Sequence, residues 1–264
     1  MWVSVIQAYM KLLQDIVVYV LTPNVTIYFK LTKPDVMRKL SIITSMLLVA
    51  LFFESCIGPA EMVKGTTEFE GKEITTLTIG DQEWMAENLD VAIFSNGDPI
   101  LHAETDKDWV QAGQNGEPAW CYYNNDPELG EKYGKLYNWY AVADPRGLGP
   151  NGWRVPDDDD WDKLIGKVGN KNNAGKRLKS IEGWEDNGNG ENADGFNVYP
   201  SGGRYNSGIF SSKGTSAFFW SASDHLMFYG RYRVIHHNKN SIEDNSLDKN
   251  YGFAVRLVKD VESK

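Results

Sequence analysis

The sequence predicts an α+β domain in which helices lie beside an antiparallel sheet. Residues 74–79 alternate β-branched side chains, and three further strand-like segments lie near the C-terminal end. Between them, two segments place apolar residues at helical spacing. Separate groups of strands and helices are typical of α+β domains, whereas α/β domains alternate the two. The roughly 200 residues that follow Cys56 are enough for one hydrophobic core.

The first predicted element is a hairpin. Residues 74–79 (ITTLTI) form its first strand, Gly80-Asp81 its turn and residues 83–85 its second strand. Residues 57–72 in front of it are polar and aperiodic, which predicts a tether. Residues 91–118 behind it contain many Gly, Asp and Asn residues, so we expect an irregular segment there.

Two helices are predicted in the middle of the chain. Residues 133–143 (YGKLYNWYAVA) carry apolar and aromatic residues at helical spacing, and Pro145 follows the segment. After a short extended piece at residues 152–156, the second helix begins with Asp157 or Asp158 as its N-cap and ends at Gly169. Its apolar stripe consists of Trp161, Leu164, Ile165 and Val168.

The remaining chain is predicted to contain loops and strands. Residues 171–181 hold a short helical turn, and residues 184–194 (WEDNGNGENAD) form a long polar loop. A strand is expected at residues 196–199 and a turn at Gly202-Gly203-Arg204. The three closing strand candidates are residues 217–221, 229–236 and 252–258.

Residues 37–56 (MRKLSIITSMLLVALFFESC) have the parts of a secretory signal. Arg38 and Lys39 give the positive start, an apolar run follows, and the small residue Ser55 precedes Cys56. This order is typical of bacterial lipoproteins, so we expect Cys56 to become the lipidated N-terminus. An ordinary cleaved signal and a retained membrane anchor are the alternatives.

Residues 1–36 do not fit a signal that begins at Met37. Their apolar residues are interrupted by charges and prolines, including Lys11, Asp15 and Pro23, which disfavours a transmembrane helix. We therefore expect residues 1–36 to be an upstream extension created by the choice of start codon. A genuine N-terminal extension is the alternative.

The charge balance disfavours two classes of partner. The whole chain has a net charge of −9 and residues 1–56 contribute +2, so the remainder carries −11. Nucleic-acid binding requires clustered basic side chains, and adhesion to anionic lipid requires the same. With Cys56 lipidated, Cys121 has no intrachain partner, and two cysteines are too few for a Cys-ligated zinc site.

Six segments in order carry a family resemblance. They are DQEWMAENL (residues 81–89), YGKLYNWYA (133–141), GWRVPDDDDWDKL (152–164), DGFNVYPSGGR (194–204), FWSAS (219–223) and YGFAVRLVK (251–259). Together, over residues 73–260, they resemble the Fibrobacter succinogenes major paralogous domain of bacterial extracytoplasmic proteins. The resemblance implies a C-type-lectin-like fold, with an antiparallel sheet flanked by two helices and a long loop region. It also implies a surface lipoprotein or adhesin of a Bacteroidetes-type bacterium, in a family without established enzymatic activity.

Calcium-dependent sugar binding of the C-type lectin kind is not expected. Glu117-Pro118-Ala119 lacks the Asn of the Glu-Pro-Asn motif, and the chain has no Trp-Asn-Asp. The polar loop is expected to be a solvated cluster of Asn and Gly turns. Its hard oxygen ligands would also suit a structural calcium ion, which is the alternative. The candidate ligands are Asp186, Asn187, Asn189, Glu191, Asn192 and Asp194.

Aromatic residues are the main candidates for a ligand surface. Trp109, Trp120 and Trp184 lie in loop-like segments, where exposed rings could stack on sugar faces. Arg204 and His225 complete the candidate ligand-binding set. The tryptophans in the family-like segments are expected in the core; they are Trp139, Trp153, Trp161 and Trp220.

No motif indicates catalysis. The chain has neither a G-x-S-x-G nor an H-E-x-x-H motif, and oxidase chemistry of the formylglycine-generating type needs a cysteine pair, whereas only Cys121 lies in the predicted domain. We expect a non-catalytic, lipid-anchored binding or adhesion protein at the bacterial outer membrane or cell surface. Its ligand would be a glycan or an envelope protein, and no cofactor is expected besides the calcium alternative. A structural envelope or pilus-associated subunit and a cryptic hydrolase are the other hypotheses.

Overall fold

The computed structural model describes residues 16–21, 26–31, 63–69 and 71–260. The chain splits into two compact units, Met1–Pro59 and Ala60–Lys264. In the first unit, β1 (Ile16–Leu21) and β2 (Thr26–Leu31) form an antiparallel hairpin. The predicted signal, Cys56 and the predicted start at Met37 lie outside the described residues.

The described part of the second unit contains twelve strands and five α-helices. The strands are β3 (Val63–Phe69), β4 (Lys72–Ile79), β5 (Gln82–Met85), β6 (Leu101–His102), β7 (Ala119–Cys121), β8 (Leu136–Tyr137), β9 (Ser201–Arg204), β10 (Phe210–Lys213), β11 (Ser216–Leu226), β12 (Tyr229–His236), β13 (Ile242–Asp248) and β14 (Val258–Asp260). The helices are α1 (Asp106–Asn115), α2 (Pro127–Tyr133), α3 (Trp139–Val142), α4 (Asp158–Val168) and α5 (Ala174–Leu178), and Tyr123–Asn125 form a 3-10 turn. No helix among them is both long and apolar enough to cross a membrane.

The strands form three sheets, most of whose pairs are antiparallel. Their orders are β10-β9-β11-β12-β13, β14-β5-β4-β3 and β6-β7-β8. Only the β9–β11 and β6–β7 pairs among the described strands are parallel. This confirms the predicted α+β class, and the predicted hairpin is β4–β5, with Gly80 at a φ of 67° in its turn.

Alternate residues of the five-stranded sheet enter two different cores. Ala217 and Phe219 of β11 pack in the same core as Trp161 and Leu164 of α4. Phe218, on the same strand, packs against the core that contains Trp220 and Phe253. Successive side chains of a strand point to opposite faces, so we call these the α4 face and the groove face of the sheet.

Helix α4 matches its prediction closely. Asp157 is the N-cap, and its side chain and that of Asp160 form a reciprocal capping box with the backbone N–H groups of Asp160 and Asp157. Gly169 follows the last helical residue. The predicted stripe of Trp161, Leu164, Ile165 and Val168 is buried. The short helical turn predicted at residues 171–181 is α5. The extended piece predicted at residues 152–156 is reduced to one bridge between Arg154 and Val258, and Gly152 lies in a turn with a φ of 87°.

The helix predicted at residues 133–143 is wrong. Helix α2 ends at Tyr133, and Gly134 follows with a φ of 68°, a conformation that breaks a helix. Residues 136–137 then form strand β8 against β7, and a separate short turn of helix begins after Asn138. Helical spacing alone did not distinguish this buried strand from a helix.

Three other segments are more regular than predicted. The irregular stretch at residues 91–118 contains α1, which begins with a capping box at Thr105 and ends before Gly116 at a φ of 65°. The predicted tether at residues 57–72 contains β3, which pairs along its whole length with β4. The predicted turn at Gly202-Gly203-Arg204 belongs to strand β9. Strands β3 and β9 are rich in Gly, Ser, Thr and charged residues, so their local β-propensity did not predict them.

The C-terminal strands are only partly as predicted. Residues 229–236 form β12, and residues 217–221 lie inside β11. Strand β13 was missed, because its sequence IEDNSLD is polar and lies at the sheet edge. Residues 252–258 are not a continuous strand: isolated bridges join Gly252 to β9, Phe253 to β8 and Ala254 to β11. The expected strand at residues 196–199 is likewise reduced to one bridge at Val198.

Candidate functional site

The three tryptophans predicted to face a ligand are buried. Trp109, Trp120 and Trp184 are 1%, 7% and 5% exposed. Each indole N–H donates inside the protein: Trp109 to the Asn250 carbonyl at 3.0 Å, Trp120 to the Ile100 carbonyl at 3.2 Å, and Trp184 to the Val198 carbonyl at 3.1 Å. Their expected exposure is therefore wrong. Trp139, Trp153, Trp161 and Trp220 are buried as predicted.

Arg204 is also buried and joins two elements. Its guanidinium donates to the carbonyls of Gly208 and Ala103 at 2.9 and 2.8 Å, and to the Asp106 carboxylate at 3.0 Å. It also lies 4.9 Å from the centroid of the Trp109 ring. Arg204 thus links β9 to the start of α1, and it has no exposed surface to offer a ligand. The backbone of His225 lies in β11, and its side chain is outside the described part of the structure.

The oxygens of the polar loop bind protein partners. Asp194 accepts two hydrogen bonds from Arg177, at 3.1 and 2.9 Å, and Glu191 pairs with Lys176 at 3.0 Å. Asp186 lies 3.5 Å from the His237 ring nitrogen.

The loop amides and backbone have turn-forming roles. Asn189 accepts a hydrogen bond from the Trp184 backbone, and Asn192 accepts one from the Asn197 backbone. Asp186, Asn187 and Asn192 adopt positive φ angles. Within residues 63–69 and 71–260, no group of three His, Cys, Asp or Glu residues is placed to hold a metal ion. The calcium interpretation of the loop and the turn-cluster interpretation both stay predictions.

A groove of about 250 Å³ lies on the groove face of the five-stranded sheet. Its lining residues are mostly aromatic or apolar; they are Gly203, Tyr205, Ser211, Phe218, Leu247, Tyr251 and Phe253. Strands β9, β10, β11 and β13 each contribute to the lining, and the 252–258 segment closes its floor. We call this the aromatic groove.

The rings of the aromatic groove are held firmly but remain accessible. Phe218 stacks on the buried Phe253 at 4.8 Å between centroids, with an interplanar angle of 16°. Tyr251 lies 5.4 Å from Tyr205 and 6.0 Å from Phe253. Tyr205 is exposed, whereas Phe218 and Tyr251 are half-buried. Ring packing fixes the faces that remain open, so the groove has a defined shape before any ligand arrives.

Polar side chains stand next to the aromatic groove. Asn206 follows Tyr205 in the chain, and its amide donates to the Asp248 carboxylate at 3.3 Å. Asp248 follows Leu247, and its other oxygen accepts from the Asn250 backbone at 2.9 Å. Burial raises the pKa of Tyr251, and Tyr205 and Asp248 raise it further. This hydroxyl therefore stays protonated near neutral pH and can both donate and accept hydrogen bonds.

In a comparison with protein families, the family model described as the Fibrobacter succinogenes major domain matches residues 77–259. The chain belongs to this family. The match includes every residue of the aromatic groove and all of α4, so both lie within the Fibrobacter succinogenes major domain of this chain. Residues 63–76, which form β3 and most of β4, precede the matched range. No curated protein and no solved structure matches the chain.

The accessible aromatic residues of this Fibrobacter succinogenes major domain differ from the tryptophans that the sequence indicated. Trp109 lies in helix α1 and Trp120 in strand β7, whereas Trp184 lies in an irregular segment, and all three side chains are buried. One signal pointed to the groove: Phe218 and Phe219 are adjacent in a strand, so one of them must leave the α4 face. No comparable sequence pattern predicted that Tyr205 and Tyr251 lie close together, because the packing of loops brings them into contact.

Proposed function

We propose that this member of the Fibrobacter succinogenes major domain family is a non-catalytic binding protein, with a glycan bound in the aromatic groove. The observation that carries the proposal is the partly open, pre-packed set of Phe218, Tyr205 and Tyr251 rings. Flat aromatic faces suit the apolar faces of sugar rings, and neighbouring carboxylate and amide groups suit sugar hydroxyls. Asp248 and Asn206 supply those polar groups.

The proposed setting is the bacterial outer membrane or cell surface, with Cys56 as the lipid anchor and a C-type-lectin-like arrangement of the domain. The signal-like residues 37–56 and the α+β architecture support this setting. The non-catalytic part is supported by Cys121. Burial raises the pKa of its thiol to about 11, so the thiol remains protonated and is a poor nucleophile.

A glycan array with the purified protein tests the proposal. Tyr251→Ala and Phe218→Ala each remove a groove ring, and we expect at least a tenfold weaker signal on the glycans that the parent protein binds. Tyr199→Ala is the matched control, since Tyr199 is a half-buried tyrosine outside the groove. Binding to no glycan, or binding that neither groove variant weakens, would contradict the proposal.

A second candidate function is a structural envelope or pilus-associated subunit. The turn between β11 and β12 favours it, because four consecutive apolar side chains are exposed there: Leu226, Met227, Phe228 and Tyr229, at 58%, 80%, 66% and 41%. Contiguous exposed apolar side chains are typical of protein contacts. Chemical cross-linking in envelope extracts tests this function. A cross-linked partner that disappears in Phe228→Ser, for a protein that binds no glycan on the array, would support it over the glycan proposal.

A further inference from the structure

A second cavity, of about 330 Å³, lies away from the aromatic groove. Strand β4, residues 85–91, helix α2 and residues 197–199 contribute to its walls. Arg256, from the segment that threads between the sheets, also lines it. We call this cavity the Arg256 cleft.

Arg256 is buried without a bonded counter-ion. The residue is 2% exposed, and its Nε donates to the Asn88 side-chain oxygen at 2.9 Å. Its two terminal nitrogens donate to the carbonyls of Phe196 and Asn197, the second at a long 3.4 Å. Each guanidinium nitrogen thus has one acceptor, and the guanidinium carbon lies 4.4 Å from the centroid of the Phe196 ring. A guanidinium has five N–H donors, so each terminal nitrogen keeps one N–H without a bonded acceptor. Burial lowers the pKa of Arg256 to about 9, which reflects the cost of a charge in this position.

The other two fully buried arginines differ from Arg256 in this respect. Arg204 pairs with Asp106 at 3.0 Å, and Arg233 pairs with Asp158 at 2.9 Å. In the described residues, Arg256 has no carboxylate within ion-pair distance; the nearby Glu87 attracts its charge without bonding to it. Arg256 has amide, carbonyl and aromatic-ring partners but no carboxylate, so a ligand carboxylate could supply the counter-ion that the other two arginines obtain from the protein.

The rest of the cleft restricts what that partner can be. Phe69 and Ile74 are half-buried and Met85 is buried, so one part of the lining is apolar. Glu73, Glu87 and Glu131 are exposed lining residues. The lysines of the lining have acidic partners of their own: Lys72 lies 3.3 Å from Asp90, and Lys132 lies 3.2 Å from Glu182. Exposed carboxylates repel ligands with several negative charges, and the apolar lining favours a hydrocarbon body.

We propose that the Arg256 cleft binds a small monocarboxylate with an apolar body, whose carboxylate pairs with Arg256 and whose body packs on Phe69, Ile74 and Met85. An arginine–carboxylate pair can form two parallel charge-assisted hydrogen bonds, which would use the remaining donors. Phe69 and Ile74 precede residue 77, where the family match begins. The apolar part of this site is therefore built largely by residues outside the matched range.

Isothermal titration with hexanoate, using the full chain, tests this inference. Hexanol has the same apolar body without a charge, and hexyl phosphate carries up to two charges. We expect hexanoate to bind at least tenfold more tightly than either, and to raise the melting temperature through mass action. Arg256→Gln should weaken hexanoate binding at least tenfold. No binding at millimolar hexanoate, or equal binding of hexanol, would overturn the inference.

Two further variants keep the test decisive. Ile74→Trp fills the cleft without altering Arg256, so it should abolish hexanoate binding even if Arg256→Gln fails to fold. Hexanoate binding unchanged in Ile74→Trp would overturn the inference. Phe218→Ala, in the aromatic groove, should leave hexanoate binding unchanged. If this variant lost hexanoate binding, that result would also count against the Arg256 cleft as the binding site. The cleft result is independent of the glycan array, so each proposal can fail alone.

Discussion

The two faces of the five-stranded sheet are built from the same strands but are covered differently. On the α4 face, the stripe of one regular helix covers Phe219 and Ile235, and both are buried. On the groove face, loops and the 252–258 segment supply the cover, and Phe218 and Tyr232 remain half-buried. A helix gives a continuous apolar cover, whereas irregular segments leave gaps. The gap on this sheet is the aromatic groove.

The α4 face also holds its charges in a network. Asp158, in the first turn of α4, accepts hydrogen bonds from Arg231 at 2.8 Å, Arg233 at 2.9 Å and the Ser221 hydroxyl at 2.9 Å. Arg233 is buried, so its charge depends on this carboxylate. The network ties α4 to β11 and β12 and positions the helix over the sheet.

Truncation of two adjacent phenylalanines gives the largest expected difference between the faces. Phe219→Ala removes a fully buried ring that lies 5.6 Å from the Trp161 ring, and we expect a loss of about 3–5 kcal/mol in the free energy of unfolding. Phe218→Ala removes a half-buried ring, and we expect a loss of about 1 kcal/mol. Urea denaturation measures both. Equal losses would show that the groove face is packed as completely as the α4 face.

Removal of one carboxylate charge tests the network on the α4 face. Asp158→Asn leaves the buried Arg233 without its closest charged partner, and we expect a loss of about 2 kcal/mol. The expected value lies below that of a fully buried pair, because the Asp158 side chain is 26% exposed. Asp162→Asn is the control, since this carboxylate is 57% exposed and 3.4 Å from Arg233. A control loss as large as that of Asp158→Asn would contradict the assigned network.

The α4 face could be predicted from the sequence because its information is local. The Asp157 cap, the four-residue apolar stripe and the terminal Gly169 lie within one short segment, and each has a direct physical meaning. The aromatic groove depends on residues from Gly203 to Phe253 that meet only after long-range packing. Sequence periodicity indicates local structure and does not indicate which distant residues will be in contact.

The Arg256 cleft shows the same limit more strongly. The sequence presents Arg256 as an ordinary residue of the apparent strand at 252–258. Arg256 is buried because isolated bridges join its segment to strands of the neighbouring sheets. Its hydrogen-bond partner Asn88 lies 168 positions away in the sequence. The family resemblance correctly located the domain, but it could not separate a buried arginine with a carboxylate from one without.

The pH dependence of stability gives the smallest expected difference between the faces. On the groove face, burial lowers the pKa of His236 below its usual 6.5; Glu243 opposes the shift, and Lys239 and His237 add to it. In helix α4, burial raises the pKa of Asp160, but hydrogen bonds from Arg154 and the Asp157 backbone outweigh it, and the net pKa lies below 3.8. Because both pKa values are lowered in the folded state, the unfolded chain binds these protons at a higher pH than the folded chain does. A fall in pH therefore reduces the free energy of unfolding.

The two contributions are lost in different pH windows. The contribution of His236 is present above pH 6.5 and is lost as the pH falls from there through the lowered pKa of the folded state. The contribution of Asp160 persists to lower pH and is lost only as the pH falls from about 3.8 through its own lowered pKa. We expect His236→Asn to reduce the drop in urea midpoint between pH 7.5 and pH 5, with no change in the drop below pH 4.

The control for this prediction is His102, whose pKa burial also lowers. His102→Asn should also reduce the drop in urea midpoint between pH 7.5 and pH 5. The double variant should reduce that drop by the sum of the two single effects, because the two residues lie in separate parts of the fold. Asp160→Asn should change only the drop at low pH. If His236→Asn instead changed the low-pH drop, the stability contributions of His236 and Asp160 would be coupled rather than independent.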